Sequence, residues 1–143
     1  MSVDKEAISN TILELEKSFN DRWSGGDNRG YLDNYAETIS YFDPVLKELL
    51  VGRDVVIAHI ESLYSNPHIV RSEYLHPVVH VSDSGDFAVL AYNLNTYTLG
   101  DDGNEQQLRG WNATEAYRLI GGEWRIVHSN WAFTRTTEDA IAS

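Results

Sequence analysis

The chain has 143 residues, of which 42% are hydrophobic and 23% charged, and this predicts one folded domain over 1–143 with a sizeable core. Its formal net charge of −11 argues against nucleic acid and anionic membranes as partners, because both would repel it. Without cysteine, a long apolar run or a signal-peptide pattern, the chain is expected to be cytoplasmic, with no disulfide, thiol nucleophile or membrane span.

Helical periodicity comes first along the chain. In the range 3–23, apolar residues recur at helical spacing, which predicts one buried helix face. The residues of that face are Ile8, Ile12, Leu15, Phe19 and Trp23. The stretch "GGDN", from Gly25, predicts the helix end, and Asp27 or Asn28 is expected to cap a short second helix. The predicted buried side of that second helix holds Tyr31, Leu32, Tyr35 and Ala36.

A short hairpin and a third helix are predicted next. The stretch "ISYFDP" predicts a strand that stops at Pro44, and "KELLVG" predicts its hairpin partner. Asp54 is expected to cap the third helix, "DVVIAHIESLY". The predicted buried stripe of this helix contains Val56, Ile57, Ile60, Leu63 and Tyr64.

Four long β segments occupy the second half of the chain. Their approximate bounds are Val70–Ser82, Asp86–Leu99, Gln106–Leu119 and Glu123–Thr134. The separators "DSGD", "GDDGN" and "IGGE" are typical of turns in antiparallel hairpins. Helices followed by a run of strands predict an α+β fold, with the helices against one face of the sheet.

Alternate residues of the third long segment differ in character, which indicates the face that points inward. The bulkier and more aromatic set is expected to be the inner one, so Glu115 would lie inside the protein. That set consists of Arg109, Trp111, Ala113, Glu115, Tyr117 and Leu119.

Five pieces of the chain, in this order, resemble the nuclear transport factor 2-like superfamily: "YFDP", "GRDVVIAHI", "AVLAYNLNTY", "WNATEAYR" and "GEWRIVHSNW". The last two are most similar to the SnoaL-like branch and to the association domain of calcium/calmodulin-dependent protein kinases. The resemblance implies a cone, with three N-terminal helices packed on a strongly bent, mainly antiparallel sheet. It also implies a cavity between helices and sheet, and a homodimer formed through the outer sheet face.

The superfamily does not fix a function. It includes ketosteroid isomerases, polyketide cyclases, dehydratases and epoxide hydrolases, and also non-catalytic carriers and assembly domains. The kinase association domains place arginines in the cavity, at positions that here hold Leu94, Glu115 and Trp131. Anionic ligands of the same kind are therefore not expected.

Glu115 is the first candidate for chemistry. A carboxylate in an apolar cavity has a raised pKa, and a general base that removes a proton beside a carbonyl needs such a pKa. The alternatives are structural: Arg109 or an arginine of the next strand neutralises Glu115, or the side chain reaches the cavity rim. The sequence leaves these alternatives open.

The residue opposite Glu115 depends on the last turn. A two-residue "GG" loop would pair Ile120 with Glu123 and place His128 opposite Glu115. A three-residue "IGG" loop would place Val127 there instead, with Ser129 and Trp131 pointing inward and His128 and Asn130 outward. The family resemblance favours the three-residue loop, and that register is the one predicted.

Asp43 in "YFDP" is the second candidate carboxylate, because its strand would end near the cavity mouth; the alternative is a plain turn residue before proline. No histidine pattern predicts a metal site, and no cofactor motif is present, so neither is expected. His59, at the edge of the apolar stripe of the third helix, is expected to be a hydrogen-bonded structural residue.

The aromatic residues predict either a ligand cavity or a fully packed core. If there is a cavity, the residues expected to bind a ligand are Trp23, Tyr35, Tyr92, Trp111, Ser129 and Trp131. Three hypotheses follow: a dimeric domain that binds a small, largely apolar molecule; an isomerase, cyclase or lyase with Glu115 as base; and a homo-oligomeric assembly module. In the enzyme, Tyr35 or Tyr92 would stabilise the developing oxyanion.

Overall fold

The computed structural model describes residues 2–63 and 68–135 of the chain. In these ranges the helices are α1 (Lys5–Ser24), α2 (Arg29–Leu32) and α3 (Arg53–Leu63). The strands are β1 (Tyr35–Phe42), β2 (Leu50–Val51), β3 (Arg71–Val81), β4 (Phe87–Leu99), β5 (Glu105–Ile120) and β6 (Glu123–Phe133). None of the helices described is long and apolar enough to cross a membrane.

Helix α1 confirms the first predicted helix but buries a different set of side chains. It begins after Asp4, whose side chain accepts a hydrogen bond from the Ala7 N–H, and it ends at Gly25. Its fully buried residues are Ile12, Glu16, Phe19 and Asn20, whereas Leu15 and Trp23 are only partly buried. The buried face therefore carries two polar residues that the apolar periodicity had passed over.

The other two helices are shorter or begin elsewhere than predicted. Helix α2 is a single turn, and the assignment of Tyr35 and Ala36 to it was wrong, because both belong to β1. Asp27 does accept a hydrogen bond from the Arg29 N–H at 2.9 Å, so this part of the capping prediction is confirmed.

Helix α3 begins at Arg53, where the Gly52 carbonyl accepts the first helical bond, so Asp54 lies in the first turn and is not the cap. Val56 and Ile60 are buried, Ile57 packs partly against the core, and Leu63 is half exposed. Tyr64, also predicted for the buried stripe, lies outside the described residues. The expectation of three N-terminal helices is corrected: only α1 is long, α2 is one turn, and α3 follows the β1–β2 hairpin.

The described strands form one mixed sheet in the order β2-β1-β6-β5-β4-β3. The four hairpin pairs are antiparallel, and β1 runs parallel to β6. The four long segments are confirmed within one or two residues of their predicted bounds. On β5, Ala113, Glu115 and Tyr117 are buried as predicted, whereas Arg109 and Leu119 are exposed.

The last hairpin combines features of the two registers that the sequence allowed. Gly121 and Gly122 both have positive φ and form a two-residue turn, so the predicted three-residue loop was wrong. Val127 is then an extra residue, because Tyr117 pairs with Ile126 while Ala116 pairs with His128.

Beyond the bulge, each side chain of β6 points to the opposite face of the sheet from the one it would have without the bulge. Glu115 lies opposite Ser129, so Val127 was the wrong partner, and Ala113 lies opposite Trp131. The prediction that Ser129 and Trp131 point inward is confirmed, since Ser129 is fully buried and the Trp131 indole bonds Glu115. A tight turn with a bulge thus gives the side-chain orientation expected from the longer loop.

Candidate functional site

A cavity of about 430 Å³ lies between the helices and the sheet. Most of its wall is apolar, with aliphatic and aromatic side chains, and the aromatic lining residues are Trp23, Tyr31, Tyr35, Tyr41, Trp111, Trp131 and Phe133. Five polar or charged side chains also line it: Asn20, Ser24, Asp43, Thr96 and Arg109. The aromatic residues thus surround an open space, as the cavity interpretation of the sequence requires.

The predicted site residues fall into two layers. Trp23, Tyr35, Asp43, Trp111 and Trp131 lie on the cavity wall. The other three, Tyr92, Glu115 and Ser129, are buried and do not line it. Trp131 connects the layers, because its ring lines the cavity while its indole N–H donates to Glu115 Oε1 at 3.2 Å.

The aromatic rings of the wall stand nearly perpendicular to one another. Trp131 meets Trp111 at 88° with ring centroids 5.7 Å apart, and it meets Tyr31 at 88° with centroids 6.0 Å apart. Trp23 and Tyr31 are related in the same way, at 77°. Edge-to-face contacts of this kind stabilise the rings against each other and hold the wall open.

Behind the wall lies a carboxyl group that the sequence did not single out. Glu16 of α1 is 1% exposed and accepts hydrogen bonds from three tyrosine hydroxyls. Tyr31 and Tyr92 donate to its Oε2 at 3.0 and 2.7 Å, and Tyr117 donates to its Oε1. Glu16 thereby binds α1 and α2 to strands β4 and β5.

Glu115 lies against Glu16 in the same buried layer. Its Oε1 accepts from the Ser129 hydroxyl and the Trp131 indole, while its Oε2 has no donor in the described part of the chain. Burial and the neighbouring Glu16 carboxylate raise the pKa of Glu115 well above its usual value. The Glu115 Oε2 can then carry a proton and donate a hydrogen bond to Glu16, so that the two carboxyl groups share this proton.

Neither arginine foreseen as a partner neutralises Glu115. The Arg109 guanidinium lies 4.7 Å from the Phe133 ring centroid, and Arg125 bonds the Asp33 carbonyl and Glu123. The rim alternative does not hold either, because Glu115 is 0% exposed. A second carboxyl group, two N–H or O–H donors and a shared proton take the place of a cation.

Asp43 forms a different carboxyl site, on the cavity wall itself. Its Oδ2 lies 2.7 Å from His59 Nε2 and accepts from the Tyr41 hydroxyl at 3.2 Å. Its Oδ1 accepts from the Val45 N–H, as a turn residue does. Burial and the adjacent Asp43 carboxylate raise the pKa of Tyr41, which keeps that hydroxyl a donor. His59 is hydrogen-bonded, as the sequence predicted.

Sequence reasoning missed Glu16 and the contact between His59 and Asp43. Glu16 lies four residues after Ile12 and four before Asn20, on the face of α1 that is buried. A glutamate at a core position of an amphipathic helix was the available signal. In the described ranges no three His, Asp or Glu side chains cluster closely enough to hold a metal ion.

Comparison with known proteins identifies the family. The family model described as SnoaL-like domain matches residues 12–134. A search of curated proteins found no match. Among solved structures, a nuclear transport factor 2-like protein of unknown function from Pseudomonas putida KT2440 is 25% identical, with a TM-score of 0.76 over 95% of this chain and 92% of that one.

Two further structures show how widely the fold is shared. A ketosteroid isomerase-like protein from Parabacteroides distasonis ATCC 8503 is 25% identical, with a TM-score of 0.72 over 87% of this chain and 86% of that one. The association domain of C. elegans CaMKII is 24% identical and shares the fold, with a TM-score of 0.74 over 90% of this chain and 97% of that one. The match over residues 12–134 and the mixed sheet with its packed helices show that the chain belongs to the SnoaL-like domain family, with the nuclear transport factor 2-like cone fold.

Proposed function

We propose that this chain binds a small, largely apolar molecule in the cavity between its helices and its sheet. The observation that carries the proposal is a space of about 430 Å³ whose walls are mostly aromatic and aliphatic. Sites for small molecules have this size and lining, with a few polar groups that orient the ligand. Asn20, Thr96 and Asp43 are such groups.

A thermal-shift screen followed by calorimetry tests this proposal. The panel contains neutral ketones, steroids, lactones and apolar acids. A ligand at a hundredfold excess over its Kd stabilises the native protein by about 2.7 kcal/mol. Trp111 lines the cavity, so Trp111→Ala should abolish the thermal shift caused by the ligand. Trp124 packs on the core away from the cavity, so Trp124→Ala should retain that shift. Equal losses in both variants would argue against the cavity as the site.

A second candidate function, a cofactor-independent isomerase, cyclase or lyase, is favoured by the Asp43–His59 pair. Asp43 lines the cavity, so its carboxylate can reach a proton beside a ligand carbonyl. Tyr35 also lines the cavity, and its hydroxyl makes no hydrogen bond to any residue in 2–63 or 68–135, so it is available to a developing oxyanion. Tyr92 donates to Glu16 behind the wall and is less suited to that role.

Glu115 stays a predicted base in this candidate, but its carboxyl would reach a ligand only after the Trp131 ring had moved. Deuterium exchange beside the carbonyl of a ketone ligand, followed by NMR, separates the two carboxyl groups. Asp43→Asn should lower the exchange rate about a hundredfold or more with little change in ligand Kd. A larger loss in Glu115→Gln than in Asp43→Asn would assign the base to Glu115 instead.

We also propose that two copies of the chain pair through the outer sheet face. The centre of this face, where β4, β5 and β6 pair, carries no lysine, arginine, aspartate or glutamate, although the net charge of the chain is −11. Its residues are Ala91, Asn93, Asn112, Thr114, Ala116, His128 and Asn130. Light scattering after gel filtration should give a dimer for the wild type and a monomer for Thr114→Arg. A monomeric wild type at micromolar concentration would contradict this proposal and the assembly-module hypothesis with it.

A further inference from the structure

Behind the cavity wall lie two buried carboxyl groups with which no cationic side chain of residues 2–63 and 68–135 pairs. Glu16 and Glu115 are 1% and 0% exposed, and neither forms a salt bridge with any described lysine or arginine. Hydroxyl and indole groups satisfy their oxygens but bring no positive charge. A buried charge without a counter-charge is unfavourable, and a cation nearby would relieve that cost.

The wall between these carboxyl groups and the cavity consists of the ring types that attract cations best. Tyr31 donates to Glu16, Trp131 donates to Glu115, and both rings line the cavity. Trp111 stands nearly perpendicular to Trp131, and Trp23 stands nearly perpendicular to Tyr31. The ring faces of the wall therefore point in several directions. The faces of Trp and Tyr rings carry negative electrostatic potential, and boxes of such rings are sites for alkylated ammonium groups.

Two polar groups of the cavity point to the same class of ligand. Asp43 supplies a carboxyl group on the wall, with its side chain 10% exposed; His59 and Tyr41 bond its Oδ2, whereas its Oδ1 accepts only from the Val45 N–H among the described residues. Tyr35 is 3% exposed, lines the cavity, and has a hydroxyl without a hydrogen-bond partner in the part of the chain that the structure describes. Both oxygens can accept a hydrogen bond from an ammonium N–H, and the carboxylate also attracts a fully alkylated ammonium.

Arg109 is the one feature of the described wall that opposes a cation. It is exposed, and its guanidinium lies over the Phe133 ring. Water screens a charge in that position. Arg109 is therefore more strongly screened by water than Asp43, whose side chain is 10% exposed.

We propose that the ligand of this cavity carries an alkylated ammonium group on an otherwise apolar body. The ammonium would lie against the faces of Trp111, Trp131 and Tyr31, with Asp43 as its carboxylate partner. This inference rests on the proposed binding function and narrows its ligand class.

Two probes of the same shape test the charge alone. Acetylcholine and 3,3-dimethylbutyl acetate differ in one atom, a quaternary nitrogen in place of a carbon. Calorimetry at pH 7 and physiological ionic strength should give the cation an affinity about tenfold or more above that of its neutral analogue, since a desolvated cation–π site favours the cation by roughly that factor.

Three variants show where the preference arises. Trp111→Leu and Asp43→Asn should each reduce the ratio of the two affinities at least severalfold, because each removes a group that favours the cation. Trp124→Leu, the matched control away from the cavity, should keep the preference. A thermal-unfolding trace of each variant shows whether it is folded before its affinity is compared.

The other outcomes overturn the inference in distinguishable ways. Equal affinities, or tighter binding of the neutral analogue, contradict the cation and leave the apolar binding function intact. If neither probe binds while the neutral panel does, the cation is again excluded and the cavity still has a ligand. If neither the probes nor the panel bind, the binding function fails as well.

Discussion

Glu115 and Asp43 are both carboxyl groups next to the cavity, yet their surroundings differ. Asp43 lies on the wall, where the imidazole of His59 and a backbone N–H bond it. Glu115 lies one layer deeper, where a second carboxyl group is its neighbour and hydroxyl and indole groups are its donors. The comparison shows that the core can hold two acids without a base, provided that one of them keeps its proton.

The difference separates the roles that each group can take. Asp43 can touch a ligand, because it lines the cavity. The Glu16–Glu115 pair acts on the cavity only through the rings in front of it, by fixing Tyr31 and Trp131. Four predictions test this division.

The largest effect is expected from Glu16→Ala. The substitution leaves the hydroxyls of Tyr31, Tyr92 and Tyr117 without their acceptor and opens a void in the core. Urea unfolding should show a loss of about 3–5 kcal/mol in the free energy of unfolding. Glu14→Ala, at an exposed position of the same helix, should change it by less than about 0.5 kcal/mol. Similar losses in the two variants would mean that Glu16 does not hold the layer together.

The next effect is a pH dependence that belongs to Glu115. The pKa of this carboxyl is raised in the folded protein, whereas in the unfolded chain it has the ordinary value of a glutamate, 4.5. Above that pH the unfolded chain has released a proton that the folded chain still holds, so a rise in pH favours unfolding. The stability that this group contributes should fall by about 1.4 kcal/mol per pH unit until the raised pKa is passed.

Glu115→Gln removes the titrating carboxyl group and therefore its contribution to the pH dependence of the stability. In urea unfolding from pH 5 to pH 8, the free energy of unfolding of Glu115→Gln should increase relative to that of the wild type as pH rises. For Glu14→Gln, the difference from the wild type should stay constant with pH. If the Glu115→Gln curve also ran parallel to the wild type, the shared proton would be refuted.

A smaller effect is expected from Trp131→Phe. The phenyl ring keeps most of the packing but cannot donate to Glu115 and Ser129, so about 1–2 kcal/mol of stability should be lost. Trp111→Phe is the matched control, because the Trp111 indole makes no hydrogen bond to the described residues. Thermal unfolding of the two variants compares them directly, and an equal loss would show that ring volume alone is responsible.

The smallest effect is expected from Asp43→Asn. Asparagine keeps an oxygen for the Val45 N–H, and its amide N–H group replaces the charged oxygen that bonds Tyr41 and His59, where the Tyr41 hydroxyl oxygen can accept from it. The stability should fall by less than about 1 kcal/mol, since the group lies at the cavity and not in the closed layer. A loss as large as that of Glu16→Ala, measured in the same urea titrations, would remove the distinction between the two sites.

The sequence by itself determined the long elements and their faces. Helix α1, the β1–β2 hairpin and the four long strands follow from local periodicity and turn residues, which require no knowledge of distant parts of the chain. The inward position of Glu115 follows from alternation along β5, whereas the sequence left open whether the aromatic residues surround a cavity or fill a packed core.

Only the tertiary structure decided what Glu115 meets. Its partner Ser129 depends on the bulge at Val127, which no local pattern marks, and a shift of one residue reverses every side chain beyond it. The Glu16 side chain reaches the layer from α1, and its bond with Tyr117 spans 101 residues of sequence. Such contacts arise from the packing of whole elements, so the two adjoining buried carboxyl groups behind the cavity became visible only in three dimensions.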